Sequence, residues 1–148
     1  LLLEAGAATD QADARGFTPL STASFAGEIE CAQCVRLLLE AGAAINQAMN
    51  GCSTPLLAAC HNGHLEIARL LLEAGAAVTQ AAANGTTPLY IACQNNHPEV
   101  ARLLLEASAA VNQAQENGTT PLYIACQEGQ LECAKLLLGA GAAVTQAM

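Results

Sequence analysis

Two short segments, Thr-Pro-Leu-Leu-Ala-Ala-Cys at residues 54–60 and Leu-Leu-Leu-Glu-Ala-Gly-Ala at residues 70–76, indicate the architecture of this chain. Thr54 is a favoured N-cap, and Pro55 suits the first helical position because its missing N–H has no intrahelical partner there. Asn62-Gly63 interrupts the helix, and Gly75 ends the second one in the left-handed conformation that glycine tolerates. The region therefore predicts two short helices joined by a tight turn.

Both segments recur along the chain with a common period. The Leu-Leu-Leu segment begins, with small variations, at residues 1, 37, 70, 103 and 136, in steps of 36, 33, 33 and 33 residues. The Thr-Pro-Leu segment begins at residues 18, 54, 87 and 120, in steps of 36, 33 and 33. Two independent motifs with one period indicate a solenoid of stacked repeats, in which helices too short to be stable alone bury their apolar faces against neighbours.

The repeat resembles the ankyrin repeat, a 33-residue unit with the signature Thr-Pro-Leu-His-x-Ala. Here the signature reads TPLSTA, TPLLAA, TPLYIA and TPLYIA, so the histidine is replaced by Ser21, Leu57, Tyr90 and Tyr123. The resemblance covers the whole chain. It implies an all-α solenoid of stacked helix–turn–helix repeats with β-hairpin-like loops.

In the register of that family, the chain is a single domain, 1–148. It has a partial repeat at 1–12 and full repeats at 13–48, 49–81, 82–114 and 115–147. The three extra residues of the first full repeat lie within residues 28–36. Three residues turn a helix by about 300°, which nearly preserves its apolar face. We therefore expect a longer or bulged outer helix there.

Composition and charge exclude several classes of function. The chain has 148 residues, 53% of them apolar, a net charge of −8 and only five basic residues. Nucleic-acid binding needs a basic surface, and anionic membranes also favour basic segments, so neither partner is expected. No apolar run approaches the roughly 18–20 residues that span a bilayer. With no signal peptide visible, we expect a monomer inside the cell, in the cytoplasm or delivered into a host cell.

Four of the five basic residues share one repeat position on the outer helices: Arg36, Arg69, Arg102 and Lys135. Glutamates lie three residues before and four residues after two of them, as at Glu66, Arg69 and Glu73. Such spacings predict exposed ion pairs within each helix, each contributing a few tenths of a kcal/mol, about 0.3–0.5.

Three of the seven cysteines, Cys60, Cys93 and Cys126, share one repeat position. Stacked units lie about 8–10 Å apart, whereas a disulfide needs Cα atoms within about 7 Å, so these residues cannot pair along the stack. We expect them to be buried as small apolar side chains, in a reducing compartment.

The alternative to a binding module is a metal- or thiol-based redox module. Cys31 and Cys34 are separated by two residues, as are His61 and His64, which imitates a zinc-ligand set. The two pairs belong to different repeats, however, and no βαβ pattern surrounds the cysteines as in redox enzymes. No phosphate-binding loop or catalytic triad order is visible, so we expect neither an enzyme nor a bound cofactor or metal.

The resemblance implies a protein–protein interaction scaffold, either within a larger adaptor or as an effector acting on a host protein. In that family the loop tips and the ends of the inner helices form a concave binding surface. Carried over position by position, the protein-binding residues are Arg15, Phe17, Phe25, Asn50, His61, Asn62, Asn84, Tyr90, Gln94, Asn95, Glu116, Asn117, Tyr123, Gln127 and Glu128.

Overall fold

Every Thr-Pro-Leu step begins a short inner helix, and every Leu-Leu-Leu run lies at the end of an outer helix. The structure, a computed structural model, describes residues 6–145. The inner helices are α1 (Pro19–Ala26), α3 (Pro55–Asn62), α5 (Pro88–Gln94) and α7 (Pro121–Gln127). The outer helices are α2 (Ile29–Glu40), α4 (Leu65–Glu73), α6 (Pro98–Glu106) and α8 (Leu131–Gly139). Each inner helix packs on the outer helix that follows it, and these pairs form units 1 to 4.

The predicted all-α solenoid is confirmed over the described residues, which contain helices and turns but no strand. Two of the predicted repeats extend beyond the described residues: the partial repeat at 1–12 at its start, and the repeat at 115–147 at its end. No helix between residues 6 and 145 is both long enough and apolar enough to cross a membrane.

A threonine caps each inner helix in the way its sequence predicts. The side-chain oxygens of Thr18, Thr54, Thr87 and Thr120 each accept the backbone N–H three residues later, at 3.1–3.2 Å. A proline follows each threonine at the first helical position. Each helix start thus satisfies one N–H that has no partner within the helix, which contributes about 1 kcal/mol per cap.

The core lies between the inner and outer layers and repeats from unit to unit. Leucines of the inner helices, such as Leu56 and Leu89, and leucines of the outer helices, such as Leu71 and Leu104, are fully buried. Each such side chain stabilises the fold by about 1.5–3 kcal/mol relative to an exposed one. Most of this burial is against adjacent helices, so helices of seven to nine residues are held by the stack rather than by their own propensity.

The outer helix of unit 1 is longer than the others, which confirms the expected effect of the three extra residues. Helix α2 has 12 residues, whereas α4, α6 and α8 have nine each. Val35 is its fully buried residue, Cys31 packs partly against the core, and Ile29 is 79% exposed. The extension therefore adds a turn of helix that contacts the core only through partly buried side chains such as Cys31.

The loops before the inner helices are tight turns, which we name finger 1 (13–17), finger 2 (49–53), finger 3 (82–86) and finger 4 (115–119). In each finger the first residue donates its N–H to the carbonyl of the fifth at 2.9 Å, and the fourth donates to the carbonyl of the first at 2.9 Å. In finger 2 the fourth residue is Cys52, with φ 63°, where the other fingers have glycine. The hairpin-like geometry is thus present without strand pairing in the described residues.

Side-chain oxygens between the outer helices and the next fingers join successive units. The N–H groups of Ala44, Ala77 and Ala143 donate to Asp10 at 2.8 Å, to Asn46 at 2.9 Å and to Asn112 at 2.8 Å, respectively. Each acceptor belongs to the repeat preceding that of its donor, which for Asp10 is the partial repeat at 1–12. The remaining junction has Thr79 at the acceptor position.

Candidate functional site

The fingers and the C-terminal ends of the inner helices form one continuous surface, which we name the finger surface. Ten of the predicted binding residues are exposed: Arg15, Phe25, Asn50, His61, Asn84, Glu116, Asn117, Tyr123, Gln127 and Glu128. Phe17, Asn62, Gln94 and Asn95 are partly buried, and Tyr90 is buried. Exposure alone, however, does not separate the side chains available to a partner from those used by the fold.

Two predicted asparagines hold the fingers in shape. The side-chain oxygens of Asn84 and Asn117 each accept the N–H two residues later, from Thr86 and Thr119, at 3.0 Å. Such bonds are typical of asparagine in turns. Their side-chain oxygens are therefore engaged in the turns.

Asp13 has the corresponding role in finger 1, although it occupies the first position of the turn. One of its oxygens accepts the N–H groups of Arg15 and Phe17, both at 2.9 Å. The hydrogen bond from Phe17 is the largest cause that lowers the pKa of the Asp13 carboxyl, and the bond and charge of Arg15 add to it. The ionised carboxylate is therefore the form that keeps finger 1 closed.

A pair of side chains links each inner helix to the next unit. The carbonyl oxygen of Phe25 accepts from the amide of Asn62 at 3.1 Å and lies 2.9 Å from Nε2 of His64. The carbonyl oxygen of His61 accepts from Asn95 at 2.9 Å and lies 3.1 Å from Nε2 of His97. Because a carbonyl can only accept, Nε2 of each imidazole carries the proton. Asn62 and Asn95 are therefore part of the fold as well as of the predicted surface.

The third junction departs from this arrangement. Gln130 replaces the histidine and donates to the carbonyl of Gln94 at 3.4 Å. Glu128 replaces the asparagine, and an ionised carboxylate has no proton to donate. The role of His64, His97 and Gln130 was not predicted from the sequence, although their equal spacing from the preceding inner helices was a visible signal.

The prediction that Tyr90 is a binding residue is corrected by the structure, because Tyr90 does not line the finger surface. Its side chain is only 3% exposed, and its hydroxyl lies 3.1 Å from the Thr119 hydroxyl of the next unit. Tyr123, at the same repeat position, is 55% exposed and borders a groove of about 1150 Å³ on the face of unit 4, with Cys126 and Val144. Tyr90 therefore joins units 3 and 4.

Fingers 3 and 4 are tied to each other and to finger 2. The backbone N–H of Ala83 donates to the carbonyl of Gly51, and that of Glu116 donates to the carbonyl of Asn84, both at 3.2 Å. The amide of Gln115 also donates to the hydroxyl of Thr86 at 2.5 Å. These bonds hold the side chains of successive finger tips at set separations.

A cavity of about 220 Å³ opens between units 1 and 2 on the finger surface. Its lining is mostly apolar, with Asn50, Ser53 and His61 as polar members; the apolar members are Phe17, Phe25, Met49, Leu57 and Ala58. We name it the unit 1–2 pocket. The guanidinium of Arg15 lies 4.9 Å from the centre of the Phe17 ring and 3.4 Å from the Asp13 carboxylate. The unit 1–2 pocket therefore brings the predicted residues Phe17, Phe25, Asn50 and His61 together.

The cysteines divide by depth. Cys60 and Cys93 are buried as predicted, but Cys126 is exposed, because no further described unit covers it. Burial raises the pKa of the Cys60 thiol. A hydrogen bond with Cys133 and burial raise the pKa of the Cys93 thiol. All seven thiols are free.

The residues of the alternative metal or redox site do not converge. Cys31 packs against the core and Cys34 is exposed, one turn apart on α2, whereas His64 is engaged with the carbonyl of Phe25. Among residues 6–145, no three His, Cys, Asp or Glu side chains lie together as metal ligands would. The described geometry thus supplies no observation in favour of that alternative.

The outer-helix ion pairs are only partly as predicted. Glu66–Arg69 at 4.0 Å and Glu132–Lys135 at 2.9 Å form within their helices. Arg36 instead reaches across to Glu66 in the next unit at 2.7 Å. Over the described range, Arg102 makes no ion pair with Glu99 or Glu106, so that part of the prediction is wrong. Exposed pairs of this kind contribute little because solvent competes for both charges.

Comparison with known proteins agrees with the geometry. A search of curated proteins finds no match. The family model "Ankyrin repeats (3 copies)" matches residues 1–82 and 75–147, which together cover nearly the whole chain. The chain belongs to the ankyrin-repeat family.

Proposed function

We propose that this chain is a non-catalytic scaffold that binds a protein partner on its finger surface. Ankyrin repeats are generally protein–protein interaction modules. Successive inner helices pack more closely than successive outer helices. That difference is expected to curve the stack, with the fingers and inner helices on the concave side.

One observation supports the finger surface more than any other. At equivalent positions, Phe25, His61 and Gln94 all use the backbone carbonyl to join the next unit. Their side chains are exposed or partly exposed, and their chemistry differs at every position. A position whose backbone is structural and whose side chain is unconstrained can vary without loss of the fold. Function is read from such a site rather than from the architecture.

The candidates for direct contact are predicted residues whose side chains make no hydrogen bond to another unit. They are Arg15, Phe17, Phe25, Asn50, His61, Gln94, Glu116, Gln127 and Glu128. Aromatic residues and arginine dominate the energetics of protein interfaces, so Arg15, Phe17 and Phe25 are the expected anchors. His61 and Glu128 would add polar specificity.

The test combines partner capture with measured affinities. Proteins retained by the immobilised full chain are identified, and binding of each purified candidate is then measured for the native chain and for Phe25→Arg, His61→Arg and Gln94→Arg. We expect losses of about 1–3 kcal/mol for anchors. Circular dichroism should remain unchanged because these side chains lie outside the core.

The matched control places charge changes on the outer helices. Glu73→Lys and Glu106→Lys alter exposed residues of α4 and α6 and should leave partner binding unchanged. If these two variants lose the partner while the three finger-surface variants keep it, the binding surface lies on the outer helices and the proposal is wrong.

A further inference from the structure

The finger surface has an apolar end and an acidic end, which together specify a class of partner. The apolar end is the unit 1–2 pocket of about 220 Å³. A protein cavity of about 150 Å³ accommodates benzene. The pocket therefore has room for one large aliphatic or aromatic side chain, with the Phe25 ring, 52% exposed, at its edge.

The structure holds the walls of this pocket in place. Met49, Leu57 and Ala58 are buried and form its apolar part together with the two phenylalanines. The carbonyl of Phe25 is fixed to unit 2 by Asn62 and His64. A preformed apolar recess with few polar groups is what small apolar ligands and anchor side chains require.

The basic residues of the chain are distributed unevenly between its two faces. Four of the five basic residues, Arg36, Arg69, Arg102 and Lys135, lie on the outer helices. The fifth, Arg15, lies in finger 1, where Asp13 pairs with it. The finger surface therefore carries no basic charge that lacks an acidic partner.

The acidic charges of the finger surface that lack a basic partner lie in unit 4. Glu116 in finger 4 and Glu128 at the end of α7 are exposed and make no ion pair between residues 6 and 145. Glu128 also replaces the asparagine that joins units at the two preceding junctions, as Asn62 and Asn95 do. A carboxylate that gives up a structural hydrogen bond is the kind of local inconsistency expected where a residue serves binding.

The separation between the two ends follows from the repeat spacing. Helix axes pack about 8–10 Å apart, and about two and a half units separate the pocket from unit 4, which makes the distance about 20–25 Å. An extended chain rises about 3.3 Å per residue, which makes this distance about six to eight residues.

We propose that the finger surface binds an extended basic segment of another protein. A large apolar side chain of that segment enters the unit 1–2 pocket, and lysine or arginine about six to eight residues away faces Glu116 and Glu128. The net charge of −8 favours the same partner through long-range attraction. This inference rests on the proposed function, because it assigns a partner chemistry to the same surface.

The first test selects ligands without presupposing their sequence. A phage-displayed library of random 16-residue peptides is panned against the immobilised full chain at low salt. Enriched peptides should carry a net positive charge and a Leu, Ile, Met, Phe or Trp about six to eight residues from a Lys or Arg. Enrichment of neutral or acidic peptides, or no enrichment, overturns the proposal.

The second test assigns the two ends with a synthetic copy of the most enriched peptide, labelled for fluorescence anisotropy. Phe25→Ser should weaken its binding tenfold or more. Glu116→Gln with Glu128→Gln should weaken it about three- to tenfold and flatten the dependence on salt, because rim charges act mainly through electrostatic attraction. Glu73→Gln with Glu106→Gln makes the same charge change on α4 and α6 and should alter binding less than twofold.

The outcomes separate this inference from the proposed function. If the selected peptides are neutral or acidic and Phe25→Ser weakens their binding, the finger surface binds proteins but the basic chemistry assigned to the partner is wrong. If the selected peptides are basic and the outer-helix double variant, Glu73→Gln with Glu106→Gln, weakens their binding as much as the finger-surface double variant does, both proposals are wrong.

Discussion

The imidazole of His64 occupies the space that a side chain at Gly27 would need. A Cβ atom built on Gly27 collides with the ring, and one built on Gly63 would lie 2.5 Å from Nδ1 of His97. Both glycines also have positive φ, 75° and 73°. Glycine at the end of one inner helix and histidine at the start of the outer helix in the following unit are therefore packed as a pair. At the third junction both partners change together, to Asn96 and Gln130.

Alanine at Gly27 should destabilise the array by about 2–4 kcal/mol, combining left-handed backbone strain with overpacking against His64. Gly129→Ala is the matched control, because Gly129 has φ 69° and the same repeat position but nothing within 4 Å of its Cβ. This variant should lower the free energy of unfolding only by the left-handed backbone strain, about 1–2 kcal/mol. Urea unfolding measures both.

The double variant Gly27→Ala with His64→Ala should be less destabilised than the sum of its two single variants, because it removes the collision. Additive losses would show that the ring and the glycine do not interact, contrary to the geometry described.

Asp10, Asn46 and Asn112 each join two repeats through a side-chain oxygen, so removing that oxygen should lower the stability of the folded chain. Asn46→Ala and Asn112→Ala delete an oxygen that accepts a backbone N–H at 2.8–2.9 Å. We expect a loss of about 0.5–1.5 kcal/mol each in urea unfolding. Thr79→Ala, at the same repeat position, should change stability by less than about 0.5 kcal/mol.

The reverse substitution, Thr79→Asn, should add the missing bond to the N–H of Ala110 and stabilise the chain by up to about 1 kcal/mol. No gain, together with no loss in Asn46→Ala and Asn112→Ala, would show that these bonds are fully replaced by water.

The thiols should react in an order set by their depth. Cys34, Cys52 and Cys126 are exposed and should react first with a thiol reagent in the native state. Cys60 and Cys93 should react last, because they are buried and the thiolate, which is the reactive form, is suppressed by their raised pKa. Mass spectrometry after timed alkylation resolves the order. Titration in denaturant should give all seven thiols, and five or fewer in fresh protein purified under non-oxidising conditions would indicate covalent pairing.

Finger 1 should open in acid. The pKa of the Asp13 carboxyl is lowered in the folded chain, mainly by the N–H of Phe17. Its contribution is therefore fully present above the ordinary aspartate pKa of about 3.9 and is lost as pH falls through the lower folded value. NMR titration of the Asp13 carboxyl carbon should give a midpoint below 3.9, with the amide signals of Arg15 and Phe17 following it.

Asp13→Asn keeps an acceptor oxygen but removes the titration, so the amide shifts of Arg15 and Phe17 should then be independent of acid. A midpoint for Asp13 at or above the ordinary aspartate value would contradict the turn geometry.

Local sequence was sufficient to predict the helices and their order. A threonine cap, a following proline and a terminating glycine act over three or four residues, and their repetition predicted the stack. The extension of α2 followed from counting residues in one repeat against the next. These features depend on backbone conformation and helical period, which neighbouring residues specify.

The roles of individual side chains were less accessible, because they depend on contacts between units. Tyr90 and Tyr123 lie within the same seven residues, PLYIACQ, yet one is buried and the other is exposed. Unit 4 covers Tyr90, and no described unit covers Tyr123. Likewise, Asn62 was predicted as a binding residue, but its amide donates to a carbonyl 37 residues earlier. Burial and hydrogen-bond partners at such distances arise from the packing of whole units, so a pattern within one repeat predicts where a residue lies but not what covers it.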